Sequence, residues 1–215
     1  MTETRSGACR RSRVSRRYLV LTAVGTALLL AMPGAAAATE KGSGQTVRNH
    51  ASVEVQKSNR SVGKLAFVVH RTSAPSVTAI NAADARTSNC SGCRSAGVAF
   101  EVVLASRGPA TLIANNEATA VNADCTRCEA VAEAYQFVIE SGDVLTITSA
   151  GQQQLDTALT QLEQVLDVLP PADELDARVA AVAEQVTNTL MSEVQPGRGH
   201  VNMRLQKRVQ HKALA

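Results

Sequence analysis

The sequence predicts an α+β fold, in which a small sheet carries two duplicated strand–helix units with CxxC motifs and an antiparallel helical hairpin follows. Three observations lead to this prediction. Short segments of alternating or β-branched residues occupy positions 51–82. Two CxxC motifs recur inside an internal repeat, and leucines recur at helical spacing from Leu155 onward.

The composition is that of one globular domain with few aromatic side chains. Of the 215 residues, 45% are hydrophobic and 19% are charged, which is enough apolar material to bury a core. Only 2% are aromatic and none is tryptophan, so stacking platforms for nucleic acid or sugars cannot be built in number. We therefore expect no nucleic-acid partner.

Residues 1–38 have the pattern of a signal peptide. Six arginines precede an apolar run from Tyr18 to Met32, and small residues follow this run as far as Ala38. Signal peptidases accept small side chains at their recognition positions, so we expect cleavage after Ala37 or Ala38. An uncleaved segment would instead anchor the chain in the membrane. The expected location is secreted or extracytoplasmic, with the cell envelope as one destination.

The export route stays open between two alternatives. The segment Ser15–Val20 resembles a twin-arginine motif, and it equally fits an ordinary basic leader. Twin-arginine substrates fold in a reducing compartment before export, whereas substrates of the general pathway meet oxidant while they are unfolded. The route therefore decides the first chemistry of the cysteines.

Four segments follow the signal: a flexible leader at 39–49, a duplicated CxxC domain at 50–148, a helical hairpin at 149–195 and a basic tail at 196–215. Within the domain, residues 51–56 alternate between apolar and polar, and residues 62–70 are rich in valine. These two segments predict a β-hairpin, and residues 77–82 predict a further strand.

An internal repeat is the most informative feature of this domain. Residues 78–82 recur as residues 119–123, and a second CxxC motif follows the first. Beyond the cysteines the two copies run without a gap at an offset of 35. The longer offset upstream implies extra residues near positions 83–88. We expect two copies of one strand–turn–helix unit.

A helix is expected after each CxxC motif. Cys93, Ala96, Phe100 and Val103 are spaced by three, four and three residues, and the second copy repeats these steps. Each motif would then open a helix, with its second cysteine on the apolar stripe that faces the core.

Residues 149–195 predict two amphipathic helices. Apolar residues recur at intervals of three or four over 155–169 and again over 175–190, and Pro170-Pro171 separates the two stripes. So short a connection favours an antiparallel hairpin whose stripes pack on each other or on the domain. The alternative is a coiled coil that joins two copies of the chain into a homo-oligomer.

The tail carries charge of one sign. Without residues 1–38 the chain holds 16 basic and 18 acidic residues, but from residue 198 onward there is no acidic one. The simplest interpretation is a solvated end, or one that lies on the acidic hairpin. The sharper interpretation is contact with anionic lipids, an anionic envelope polymer or an envelope protein. The residues that would make this contact are Arg198, Arg204, Lys207, Arg208 and Lys212.

Four cysteines remain once Cys9 leaves with the signal, and they are the candidate site residues: Cys90, Cys93, Cys125 and Cys128. An even number outside the cell favours structural disulfides, with three pairings open. Chain entropy favours bonds across the two copies, because they close longer loops than a bond within one CxxC. Two alternatives stay open: a zinc ion held by the four thiolates, and thiol-redox activity.

No second group of residues predicts chemistry. The four histidines are dispersed, and the sequence holds no HExxH, no glycine-rich phosphate loop and no GxSxG motif. Asn81 and Asn122 match in the repeat and are interpreted as turn or strand-end residues that form hydrogen bonds. We expect no catalytic residue and no organic cofactor. The expected function is a secreted, noncatalytic structural or interaction module, and the alternative is a zinc-binding or thiol-redox protein.

Several segments resemble a protein family. Leu65-Ala66-Phe67, the CxxC units, and residues 99–104 and 134–139 that follow them are similar to uncharacterised actinobacterial secreted proteins. The same region, about residues 50–165, resembles the extracellular C-terminal part of larger proteins labelled peptide zinc metalloproteases. The zinc-binding HExxH of those proteins lies in a separate membrane domain and has no counterpart here, so protease activity is not implied. The resemblance implies an exported module of the cell envelope.

Overall fold

The structure is a computed structural model that describes residues 44–197 and 201–214. The predicted signal peptide and residues 39–43 of the predicted flexible leader lie outside these described residues. Residues 45–49 of that leader form the start of a strand, so a flexible segment is not what the structure has there. The strands and helices are β1 Gln45–Val55, β2 Ser61–Thr72, β3 Ser76–Ser91, β4 Arg94–Ala105, β5 Thr111–Thr126, β6 Cys128–Ser141, β7 Leu145–Ile147, α1 Ser149–Val168, α2 Ala172–Glu193, β8 Val194–Pro196 and β9 Val201–Leu214.

The first six strands alternate between two parallel sheets. Sheet A holds β1, β3 and β5, and sheet B holds β2, β4 and β6 with β9 added at its end. Each passage through sheet A and then sheet B completes one rung, so β1–β2, β3–β4 and β5–β6 are rungs one, two and three. Val47, Ala79 and Ala114 lie side by side on successive rungs. The architecture is a two-sheet β-solenoid in which each rung stacks on the one before it.

The predicted α+β fold is wrong, because the described chain is mostly β. The segments expected to form helices after the CxxC motifs are the strands β4 and β6. Both strands are buried on both faces, since sheet A covers one face of sheet B and the helices cover the other. Strands in that position carry nearly continuous apolar runs, and such a run also satisfies helical spacing.

The predicted β-hairpin and the predicted repeat also need correction. β1 and β2 lie in different sheets, and each pairs in parallel with the next rung. Asn81 lies beside Asn116, so the offset of 35 holds before the cysteines as well as after them. The likeness of residues 78–82 to residues 119–123 therefore does not mark the repeat, and no insertion separates the copies. Rung one is a third copy of the repeated unit, and it is hard to recognise in the sequence because it has no CxxC motif.

A row of buried asparagines runs through the interior. The Asn49 Nδ2 donates to the Asn81 Oδ1 at 2.9 Å, and the Asn81 Nδ2 donates to the Asn116 Oδ1 at 2.8 Å. The same amide groups also donate to backbone carbonyls of sheet B, including those of Phe100 and Tyr135 at 3.0 Å each. The prediction of a turn or strand-end role for Asn81 is wrong, because this side chain connects three rungs and both sheets.

Small residues let the two sheets approach closely. Ala51, Ala83, Ala99 and Ala132 are fully buried between them. At Gly97 an added Cβ would lie 2.6 Å from the backbone oxygen of Asp84, so that no side chain fits there. The high alanine content of the chain thus reflects the narrow gap between the sheets.

The opposite face of sheet B packs under the two helices. Phe67, Phe100 and Tyr135 form a stacked row on this face, with ring centroids 6.0 and 4.7 Å apart. Buried leucines and valines of α1 and α2 belong to the same apolar cluster. Both helices predicted within residues 149–195 are therefore present, but their stripes pack on the sheet and do not support a coiled coil. Among the helices of the described chain, none is long and apolar enough to cross a membrane.

Arg94 fastens the turn between the helices to sheet B. Its guanidinium donates to the backbone oxygens of Leu169, at 2.6 Å, and of Pro170. The Glu129 carboxylate lies 2.7 Å from the same guanidinium. These bonds satisfy carbonyls at the end of α1 that have no partner within the helix.

The basic tail contains a paired strand, whereas the simplest interpretation of the sequence is a solvated end or one that lies on the acidic hairpin. β9 pairs antiparallel with β6, from Ser141 opposite Val201 to Cys128 opposite Leu214. It covers an edge of sheet B that would otherwise present unpaired backbone groups.

We predict that Asn81→Ala lowers the free energy of unfolding by about 2–4 kcal/mol, because the bonds of Asn81 to both neighbouring asparagines are lost. Urea denaturation followed by circular dichroism measures this change. Asn115→Ala is the matched control, since Asn115 is exposed on the outer face of the same sheet. We expect its effect to stay within about 0.5 kcal/mol. Equal losses in the two variants would contradict a structural role for the buried row.

Candidate functional site

The four cysteines lie together at one corner of the solenoid, where the chain passes from sheet A to sheet B. Cys90 and Cys125 occupy matching positions near the ends of β3 and β5. Cys93 directly precedes β4, and Cys128 is the first residue of β6. The CxxC motifs therefore form tight corners between strands and do not open helices. We call this group of four residues the sulfur corner.

Left-handed backbone conformations turn the chain at the sulfur corner. Asn89 and Asp124 have φ values of 53° and 51°, and asparagine and aspartate tolerate this region better than other side chains do. Inside the motifs, Gly92 and Arg127 have φ values of 63° and 53°. Glycine adopts this conformation without strain, so the first motif bends at lower cost than the second.

Backbone hydrogen bonds stack the two corners directly on each other. The Gly92 N–H donates to the Thr126 oxygen at 2.9 Å, and the Glu129 N–H donates to the Cys93 oxygen at 2.9 Å. Rung one joins the same stack, because the Asn59 N–H donates to the Ser91 oxygen at 2.9 Å. Rung one contributes no sulfur to this stack.

The structure contains a disulfide within the first motif. Cys90 and Cys93 are bonded, and their Cα atoms lie 6.2 Å apart. Cys125 and Cys128 are thiols. The Cys90 Sγ lies 3.5 Å from the Cys125 Sγ and 3.9 Å from the Cys128 Sγ. The bond within one motif differs from the crossed pairing that chain entropy favours, because chain entropy takes no account of which sulfurs the folded corner brings into bonding contact.

The surroundings of the sulfurs are mostly backbone. The Cys93 Sγ lies 3.2 Å from the Lys57 oxygen, and the Cys128 Sγ lies 3.6 Å from the Cys90 oxygen. Cys90, Cys93 and Cys128 are buried, whereas Cys125 is partly exposed. Cys125 is therefore the sulfur that solvent reaches.

The two thiols differ in acidity. Burial by itself raises the pKa of the Cys125 thiol, but hydrogen bonds from Cys128, Thr87 and the backbone outweigh burial and lower that pKa. Burial and the neighbouring Cys125 raise the pKa of the Cys128 thiol. Cys125 is therefore the more nucleophilic member of the pair at neutral pH.

The spacing of the sulfurs also suits a metal ion. The sulfurs of Cys90, Cys93 and Cys128 all lie within 4.8 Å of one another. Tetrahedral zinc thiolates have Zn–S bonds of about 2.3 Å, which places neighbouring sulfurs about 3.8 Å apart. The separations of 3.5 and 3.9 Å around Cys90 bracket that value. Binding of an ion by both Cys90 and Cys93 requires that the bond between them is first reduced.

The predicted polyanion-binding residues that the structure describes lie on the strand β9. Arg204 is exposed on β9, 3.9 Å from the Glu140 carboxylate. The strand β9 also holds Lys207, Arg208 and Lys212, opposite residues of β6. Arg198 lies outside the described residues.

A buried polar row that the sequence analysis missed crosses the interior of sheet B. The Gln136 Nε2 donates to the Glu101 Oε2 at 2.7 Å, and the His70 Nε2 lies 3.5 Å from the Glu101 Oε1. Glu101 and Gln136 have no exposed surface. Burial raises the pKa of Glu101 to about 7 and lowers that of His70. The offset of 35 that joins Glu101 to Gln136 is visible in the sequence, but a helical interpretation places neither residue between two sheets.

Comparison of the chain with family models, curated proteins and solved structures finds no match. The geometry of the sulfur corner and of the buried row therefore carries the functional argument.

We predict that Glu101→Gln reduces the pH dependence of stability. The folded carboxyl keeps its proton up to about pH 7, above its ordinary pKa, so the free energy of unfolding falls as pH rises towards 7 and then levels off. The loss for the wild type between pH 4 and pH 8 should exceed that of Glu101→Gln by about 3 kcal/mol.

Urea denaturation across this pH range measures the difference. His70 is present in both proteins, so the contribution of its titration to the pH dependence of stability is largely removed when the two proteins are compared. Glu117→Gln is the control, because Glu117 is exposed on sheet A. A pH profile for Glu101→Gln that matches the wild type would contradict the buried carboxyl.

Proposed function

We propose that the protein is an exported, noncatalytic structural and interaction module of the cell envelope, in which paired cysteines hold one corner of the core. The observation that carries this proposal is the in-register stacking of Cys90 on Cys125. Cysteines packed together at a corner, with one pair bonded within that corner, reinforce a scaffold, whereas a catalytic thiol needs access to a substrate.

The burial of the corner supports a structural role. Three of its four sulfurs are buried against backbone, which excludes a protein or small-molecule disulfide from direct contact with them. A groove of about 390 Å³ elsewhere, on the helices, is lined by neutral side chains and Glu184, and it contains no pair of groups for acid–base catalysis.

The signal pattern and the disulfide support export. Disulfides persist in oxidising compartments and are rare in the cytosol. A bond between Cys90 and Cys93 is compatible with an extracytoplasmic location. The resemblance to actinobacterial secreted proteins points to the same compartment.

The test uses the full chain with its own leader, expressed in an actinobacterial host and recovered from the medium. We expect a mature chain that begins near Thr39 and retains the Cys90–Cys93 bond. Reduction should lower its free energy of unfolding by about 2 kcal/mol. Iodoacetamide should modify Cys125 faster than Cys128 in the folded protein, and the protein should not catalyse insulin reduction. A Cys90→Ser/Cys93→Ser variant separates the effect of the bond from that of the reductant.

Two results would contradict the proposal. The first is retention of the chain in the cytoplasm. The second is insulin reduction that Cys125→Ser abolishes, because turnover of that kind would make the sulfur corner a redox site.

Zinc binding is a second candidate function, and the mutual proximity of the Cys90, Cys93 and Cys128 sulfurs is the observation that favours it. Under this alternative the reduced protein binds one Co²⁺ or Zn²⁺ ion, and cobalt produces a thiolate charge-transfer absorption. Cys128→Ser should remove that absorption, whereas Ser91→Ala, a change in the same turn that removes no sulfur, should retain it. Native mass spectra of the reduced protein that show no bound ion at micromolar zinc would reject this alternative.

A further inference from the structure

The outer edge of rung one is open in the described part of the chain. β1 and β2 stand first in their sheets, and no described strand pairs with their outer sides. The far edge of sheet B is closed, because β9 covers β6 there. In the predicted mature chain, residues 39–43 are five residues, which are too few to pair along the 12 residues of β2. We call the outer side of β1 and β2 the open edge.

Backbone groups of β2 point outward along this edge. The Arg94 N–H donates to the Arg60 oxygen at 2.9 Å, and the Ser106 N–H donates to the Thr72 oxygen at 2.8 Å. The backbone N–H and C=O groups of even-numbered residues in β2 therefore point towards β4. In a parallel ladder the alternate residues face the other side. The amides of Leu65, Phe67 and Val69 therefore point to the open edge and are ready to pair with another strand.

Apolar side chains of β2 are incompletely covered. Eight of the 12 residues of β2 are half-buried and three are exposed, whereas 11 of the 12 residues of β4, its neighbour in the same sheet, are buried. Phe67 stacks on Phe100 on one side, and no described ring continues the row on the other. A long edge strand with partly exposed apolar residues is an aggregation hazard unless something covers it.

The charge of rung one is opposite to that of the following rungs and helices. Over residues 44–75 there are five basic residues and one acidic residue, whereas residues 76–197 hold five basic and 16 acidic ones. The five basic side chains are exposed, and none forms an ion pair with a described carboxylate. They are Arg48, Lys57, Arg60, Lys64 and Arg71.

We propose that the open edge binds an extended acidic segment of a partner protein, which pairs with β2 as an added strand. This inference names the partner class of the interaction module proposed above and rests on that proposal. The pairing of basic β9 with β6, whose Glu140 lies 3.9 Å from Arg204, shows the same combination of strand pairing and opposite charge within this chain. Acidic side chains supply the complementary charge, and a polypeptide backbone supplies the N–H and C=O groups that can pair with those of the open edge.

The same observations disfavour two other occupants. Two copies that met at this edge would bring two sets of five unpaired cations together, which like-charge repulsion opposes. An anionic phosphate polymer would satisfy the charge but could not accept and donate the alternating hydrogen bonds of a strand.

The test measures binding of a fluorescein-labelled peptide of alternating glutamate and valine, as long as β2, by fluorescence anisotropy. Lys64→Glu/Arg71→Glu should weaken binding at least about tenfold, because it reverses two cations on the edge. Arg107→Glu/Arg178→Glu changes the net charge equally but lies outside rung one, and it should change affinity less than about twofold. Binding should also weaken as salt rises.

Hydrogen exchange distinguishes strand pairing from simple charge attraction. The peptide should slow exchange at Leu65, Phe67 and Val69, and a peptide with prolines in place of valines should bind more weakly and protect none of them. Equal loss of affinity in the two double variants would overturn the proposal, as would equal binding of the proline peptide or of polyphosphate. Protection of the same amides by self-association, without peptide, would assign the edge to a second copy. None of these results bears on export or on the noncatalytic role, which the experiment on secreted protein tests separately.

Discussion

The buried hydrogen-bonded row of Asn49, Asn81 and Asn116 sets the register on which the rest of the structure depends. A buried amide without partners costs about 1–3 kcal/mol, and these three amides bond to one another only when the rungs stack in the observed register. Side chains alternate with a period of two, so a strand that slipped by one residue would turn its asparagine to the outer face. The same register places cysteine on cysteine, and one aromatic ring on the next. One polar constraint therefore positions both the core and the sulfur corner.

How much of this fold the sequence predicts depends on how many faces of an element are buried. The helices α1 and α2 are predictable, because each buries a single stripe and exposes the rest. β4 and β6 are not, because burial on both faces removes the alternation that identifies a strand. Rung one escapes detection for another reason: it shares the asparagine and the aromatic of the repeat but has no CxxC. Parallel pairing between residues more than 30 positions apart leaves no local turn signal to read.

The candidate site is likewise predictable in part: the grouping of its cysteines follows from the sequence, but their arrangement does not. Spacing identifies Cys90, Cys93, Cys125 and Cys128 as one group, and the offset of 35 predicts that equivalent cysteines are related. Their arrangement at a strand corner depends on the left-handed turns at Asn89 and Asp124, which helical spacing conceals. Chain entropy addresses only the unfolded state, so it does not predict which sulfurs meet in the folded one. Similarly, the row of His70, Glu101 and Gln136 becomes visible only once the sheets are assigned.

Nuclear Overhauser effects in isotopically labelled protein measure whether the three rungs stack in parallel. We expect backbone contacts that connect Val47 to Ala79 and Ala79 to Ala114, together with side-chain amide contacts along the asparagine row. Contacts that pair β1 with β2 as an antiparallel hairpin, from Val55 and Ser61 outward, would contradict the solenoid and with it the arrangement of the sulfur corner.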